Sequence, residues 1–306
     1  MQRRQFLGAV PGLALAGPRP AVTPAAIIDT HIHFYDPTRP GGTPWPPKSD
    51  TLLYRPVLPE EYEKMMRSFG ITSAIIVEAS AWVEDNQWVL DLIADHPKFS
   101  GLVGRIEAGM PGFQDYLRRF AKNPRFRGIR LGEAAIRERL GQPQFVTDLK
   151  TLASAGLELD AVGGPSIMAE LVRLTDRVPD LRIVIDHLPY DPPEDKAARE
   201  GYQSALHELG KRQQIYVKVS NVLRRKGDTV PTDLKFYRPA LDELWDIFGE
   251  DRLIYGSNWP VSERRSPYKP VLDVVRAYFA EKGQRATDKY FSKNAIAAYR
   301  PYMARR

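Results

Sequence analysis

Five histidines occur in this chain of 306 residues, and two of them, His31 and His33, stand one residue apart in Asp29-Thr30-His31-Ile32-His33. Along a β-strand the side chains alternate between the two faces, so an H-x-H pair at a strand end turns both imidazoles the same way. Two rings so placed can hold one divalent ion or one anionic intermediate between them. A third histidine, His187, follows Asp186 at the end of another short apolar run, while His96 and His207 fall in helix-like segments and read as core or surface residues. Other groups complete a hydrolytic set. Glu78 is a carboxylate that can ligate a metal or take a proton from water, and His187 is a second possible proton acceptor. Arg130 and Lys218 are cations able to stabilise charge developing on a carbonyl oxygen. Asn258 cannot serve as a general base, but its amide can orient a water or donate a hydrogen bond to an oxyanion.

These residues need a scaffold that brings distant parts of the chain together. Short apolar runs at 26–29, 73–77, 101–105, 128–131, 157–160, 182–186, 215–219 and 253–255 read as eight strands, without the clean alternation of a half-exposed sheet. Between them the spacing is helical: Tyr62, Met65, Met66 and Phe69 repeat at one face, with Pro59 before them and Gly70 just after. Phe145, Leu149, Leu152 and Ala153 form another such stripe, closed by Gly156. A further helix is expected around 268–280, and residues 287–299 read as a cap on the domain. Eight strand-helix units predict a (β/α)8 TIM barrel rather than an open sheet, and in such a barrel the reactive groups come from the C-terminal strand ends. The groups named above fall at those ends.

Together these segments carry a family resemblance. Ile27-Ile28-Asp29-Thr30-His31-Ile32-His33 resembles the strand-one signature of the amidohydrolase superfamily. Glu78-Ala79-Ser80, Phe126-Arg127-Gly128-Ile129-Arg130, Val184-Ile185-Asp186-His187 and Tyr255-Gly256-Ser257-Asn258-Trp259-Pro260 follow in the order of its amidohydrolase-related branch, which includes sugar lactonases and dicarboxypyrone lactonases. The resemblance implies a metal-dependent-hydrolase-like barrel and hydrolysis of a C–O or C–N bond, lactones being the favoured substrates. It leaves the metal open. Arg130 and Asp160 stand where a bridging lysine or histidine would be needed, so a two-metal centre is not expected. The alternatives are one divalent ion, zinc first among the candidates, held by His31, His33 and Glu78, or a metal-free site. The branch usually has Asp in G-S-D-W-P as the proton acceptor, whereas this chain has Asn258, so Glu78 or His187 must take that part. A decarboxylase of a carboxylated ring is the second enzymatic reading, and a periplasmic barrel that binds sugars or lactones without turnover is the reading of a different class.

The remaining sequence narrows the partners. There is no cysteine, which excludes thiolate nucleophiles and disulfides, and the formal charge of +6 is spread among acidic residues without a basic tract for nucleic acid. A small molecule is the expected partner. The segment from Phe34 to about Leu58 holds Tyr35, Trp45 and Tyr54 among prolines, the composition of a stiff aromatic lid that could stack on a sugar or planar lactone. Lys218 and Trp259 are further candidate substrate contacts. Arg224, Arg225, Lys226, Arg264 and Arg265 on the same face hint at an acidic substrate. At the N-terminus, Arg3-Arg4-Gln5-Phe6-Leu7 is a twin-arginine pattern, and Ala14-Leu15-Ala16 offers a small-x-small cleavage site. Residues 1–25 are therefore expected to be a signal and linker, residues 26–306 the barrel, and the destination periplasmic or extracellular. No later stretch is apolar enough to span a membrane.

Overall fold

In the computed structural model, which describes residues 22–302, eight strands run parallel in sequential order. They are β1 (Ile28–Ile32), β2 (Ser73–Val77), β3 (Phe99–Gly104), β4 (Phe126–Gly132), β5 (Glu158–Val162), β6 (Ile183–Leu188), β7 (Ile215–Val219) and β8 (Leu253–Tyr255). Helices connect them, which makes the architecture a (β/α)8 barrel. The first helix, Pro59–Phe69, shows how the sequence specifies them. Proline opens it, Tyr62 and Met66 face the sheet, and Gly70 at φ 71° ends it in the left-handed conformation that a Cβ would penalise. No helix among the described residues is long and apolar enough to cross a membrane.

Two apolar layers result. Ala74, Ile76, Leu102, Ile129, Leu159, Ile183 and Val217 point outward to the helices. Ile28, Ile75, Val77, Val103, Val184 and Ile254 form a separate cluster inside the ring, where the helix Asn294–Tyr299 joins them. Ile28 and Ile32 are an even number of residues apart, yet Ile28 belongs to the inner cluster and Ile32 to the outer one. The register shifts between Asp29 and Ile32, and this irregularity swings His31 and His33 inward.

The ring closes between β8 and β1 by an unusual seam. Only one bridge, Ile32 with Trp259, links the two sides as strands. Below it the Asp29 carboxylate substitutes for a ladder: Oδ1 accepts from the backbone N–H groups of Ser257 at 2.8 Å and His31 at 3.1 Å, and Oδ2 from the hydroxyls of Tyr62 at 2.6 Å and Tyr268 at 2.8 Å. Burial pushes this carboxyl above its usual range and the donors pull it back. Gly256 permits the approach, since a Cβ there would sit 2.9 Å from the Cβ of His31.

Asp29→Ala is expected to lower the unfolding free energy by about 3 kcal/mol in urea titration, because it strands two backbone donors and two hydroxyls in the interior. Asp29→Asn keeps an acceptor for the backbone amides and should lose less than half as much. An unchanged unfolding free energy in Asp29→Ala would show that the carboxylate is not what holds the seam.

Candidate active site

His31 is buried at the end of β1, with Nδ1 3.3 Å from Asp186 Oδ1 and 3.3 Å from Lys218 Nζ. Its Nε2 is buried without a partner. His33 is fixed at both nitrogens. Its Nδ1 donates to the Val77 carbonyl at 3.0 Å, and the Asn258 side-chain amide meets Nε2 at 3.2 Å. Burial, reinforced by the charge of Arg130, lowers the pKa of His33 to about 4, so Nε2 carries no proton; the Asn258 atom facing it is Oδ1, and the amide donates to the ring only when turned to present Nδ2. His187 is the penultimate residue of β6. Its φ of 65°, rare for a residue with a Cβ, turns the ring toward His31, with centroids 4.4 Å apart, and Nδ1 lies 2.9 Å from Ser220 Oγ. Burial lowers His187 to about 3 and His31 well below its ordinary value, leaving all three imidazoles neutral.

Beneath and beside the rings lies a chain of charges. Asp186 accepts from Arg130 Nε at 3.0 Å and pairs with Lys218 Nζ at 3.1 Å. Burial opposes its ionisation, but Lys218, His31 and Arg130 hold it well below the carboxylate range. Lys218 also bonds to Asp160; burial works against the ammonium, and the two carboxylates more than offset it. Glu78, at the end of β2, lies 3.9 Å from Arg130 and 3.7 Å from Arg105. Burial raises it to about 7 against the pull of those two arginines. Its charge changes near neutral pH, which a group that both takes and returns a proton requires.

The structure thus brings His31, His33, His187, Arg130, Glu78 and Asn258 to one end of the barrel. Two expected substrate contacts are not there. Lys218 is completely buried under His31, and Trp259 is completely buried against Tyr62, with its indole N–H donating to Glu263 at 2.9 Å. Neither offers surface to a ligand. Asp160, set aside as a missing metal bridge, is instead the partner of Lys218. In the lid, Tyr35 is buried and pairs with Val57, whereas half-buried Trp45 stands 5.1 Å from Tyr35 and 6.0 Å from His33. Tyr54 is half-buried, and among the described residues no aromatic contact links it to the histidines. Arg39 straps the lid to Asp85 at 2.6 Å and to the face of Trp88, and Asp50 ties it to Arg264. The cationic mouth is also less free than its sequence suggests: Arg224 bonds Asp191, Arg264 bonds Asp50 and Arg265 bonds Asn221. His96 lies just past its helix, paired with Glu63 at 3.0 Å. The twin-arginine segment falls outside the described residues.

One atom each from His31, Asp186 and His187 lie within 4.8 Å of one another, a grouping that can hold a metal ion. The buried, unpartnered Nε2 of His31 and the neutral state of the imidazoles suit a single divalent cation. The expected set of His31, His33 and Glu78 is not the one this grouping brings together: His33 Nε2 faces the Asn258 side chain and Glu78 faces two arginines, whereas His187 and Asp186 lie beside His31.

Neutral imidazoles, a bracing carboxylate and an acid titrating near neutrality at the C-terminal mouth of a (β/α)8 barrel define a barrel hydrolase. The chain belongs to the amidohydrolase family, whose model, described as Amidohydrolase, matches residues 28–300. Among curated proteins it is similar to an L-fucono-1,5-lactonase of Burkholderia ambifaria, 29% identical over 237 residues, covering 77% of this chain and 80% of that protein. Among solved structures it resembles an amidohydrolase of Burkholderia multivorans with bound zinc, at a TM-score of 0.80 and 22% identity, covering 90% of this chain and 100% of that one. A putative 2-pyrone-4,6-dicarboxylic acid hydrolase from Pseudomonas putida superposes at a TM-score of 0.70 and 23% identity, covering 90% and 97%.

Equilibrium dialysis against zinc checks the grouping. His31→Gln and His187→Gln should each weaken binding by more than about tenfold, and His33→Gln should change it less. The reverse order would restore the set centred on His31 and His33.

Proposed function

We propose that this protein hydrolyses a sugar lactone by attack of water on the ring carbonyl. The observation that carries the reading is Glu78, an acid raised to about 7 and held beside Arg130 at the mouth that the neutral histidines share. The lactonase named among its relatives supports the substrate class. Arg224, Arg264 and Arg265 at the rim are already engaged, which favours a neutral sugar lactone over a dicarboxylate.

In this reading Glu78, as carboxylate, takes a proton from water while the water oxygen bonds to the carbonyl carbon. The Arg130 guanidinium stabilises the charge that moves onto the carbonyl oxygen. Collapse of the tetrahedral species breaks the ring C–O bond, and Glu78 returns its proton to the leaving oxygen, giving the open hydroxy acid. His187 is too weakly basic for that task. Asn258 holds His33 in its tautomer, and Trp45 offers a flat face to the sugar ring. A divalent ion, zinc being our choice, would when bound to His31, His187 and Asp186 supply a Lewis acid for the carbonyl. We further propose export through the twin-arginine segment.

A panel of sugar lactones, L-fucono-1,5-lactone first, tests the function. Turnover to a hydroxy acid without carbon dioxide is expected, with log kcat/KM rising at unit slope to about pH 7, where the carboxylate becomes the main form, and level above it. Glu78→Gln should lower kcat by at least about a hundredfold and abolish that limb. Thermal stabilisation by lactones without any product would identify a binding barrel instead. For export, Arg3→Lys with Arg4→Lys should leave the protein in the cytoplasmic fraction of a bacterial host; unchanged distribution would refute it.

A further inference from the structure

The helix Asn294–Tyr299 lies at the opposite end of the barrel from the lid, and no step of the proposed reaction uses it. Its Ala295, Ala298 and Tyr299 pack under Ile28, Val184 and Ile254 and plug the barrel floor. Tyr299 is completely buried, and its hydroxyl donates to Asp160 Oδ1 at 2.8 Å. The other oxygen of Asp160 accepts from Lys218 Nζ. That ammonium reaches Asp186 Oδ1 at 3.1 Å and stands 3.3 Å from His31 Nδ1. The Tyr299 ring faces the same ammonium, its centroid 5.3 Å away.

We propose that Tyr299 is a positioning residue for the reaction centre, acting through Asp160 and Lys218 on His31 and Asp186. An ammonium on a four-carbon stem has no fixed geometry of its own, so its place is set by the acceptors around it. Here those are Asp160 and Asp186, with the His31 ring against the same ammonium, and the position of Asp160 is in turn held by the tyrosine hydroxyl. With that hydroxyl gone, a dry carboxylate keeps one donor fewer and draws Lys218 harder toward itself, away from the histidine. A displacement of a few tenths of an ångström at His31 changes how it meets a reacting carbonyl, and the rate depends steeply on that geometry.

The inference rests on His31 belonging to the reaction centre, so its test has a readout that needs no turnover. Tyr299→Phe removes one oxygen and keeps the ring. Tyr290→Phe is its matched control, since the buried Tyr290 hydroxyl donates to the Val219 carbonyl at 3.0 Å, outside the chain of charges. For Tyr299→Phe we expect kcat on L-fucono-1,5-lactone to fall by about five- to tenfold with KM unchanged. The His31 side-chain nitrogen resonances, assigned with His31→Gln, should shift. Tyr290→Phe should lose comparable stability while keeping wild-type kcat and His31 signals. Wild-type His31 signals in Tyr299→Phe, or an equal shift in the control, would overturn the proposal. Absence of lactone turnover in the wild type would sink the lactonase reading and leave the resonance test standing. Should Tyr299→Phe not fold, Asp160→Asn with the same readouts tests the next link, and an unmoved His31 signal there refutes the chain.

Discussion

Everything at the mouth of this barrel depends on two cations and two carboxylates kept out of water along its axis. Lys218, Arg130, Asp160 and Asp186 each would cost several kcal/mol to bury alone. Together they sum to zero charge, and each cation lies within ion-pair distance of a carboxylate. This arrangement explains the state of the groups above it. Positive charge from Lys218 and Arg130, added to desolvation, keeps the imidazoles unprotonated, and the same arginine limits how far Glu78 rises. Glu158, buried one inward position below Asp160, has no hydrogen-bond partner for its carboxylate oxygens among the described residues, and burial drives it well above the usual range.

Much of this is legible in the sequence. The strand positions follow from apolar runs and turn residues, and the rule that barrel chemistry sits at strand C-termini located His31, His33, Glu78, Arg130, His187 and Asn258 together. Alternation alone misleads where the backbone departs from a strand. Asp186 and His187 are consecutive and by period two should face opposite ways, yet both enter the site because His187 adopts a positive φ. The irregularity in β1 likewise makes Asp29 an outward clamp while His31 points in. Lys218 and Trp259 lie covered for another reason: a strand-end position says which way a side chain points but not whether another residue covers it. The rim arginines needed partners from distant loops to be identified, and those pairings have no local signature.

Three non-glycine residues with positive φ, His187, Asn221 and Asn258, stand just at or beyond the ends of β6, β7 and β8. Such conformations are disfavoured for side chains with a Cβ and persist only where surrounding contacts hold them. Here those contacts are Ser220 for His187, Arg265 for Asn221 and the His31 carbonyl for Asn258, whose N–H donates to it at 2.8 Å. The site is therefore rigid for reasons that lie in its backbone as well as in its lid, whose straps to Asp85 and Arg264 leave it a fixed wall.

The seam at Asp29 also bears on how the molecule comes into being. It joins residue 29 to residues 257 and 268, so its contacts close nearly the whole length of the barrel and carry the entropy of a very long loop. The reaction centre therefore draws on both ends of the chain at once, and a chain cut before residue 257 has the histidines of the site without the clamp and Asn258 that complete it.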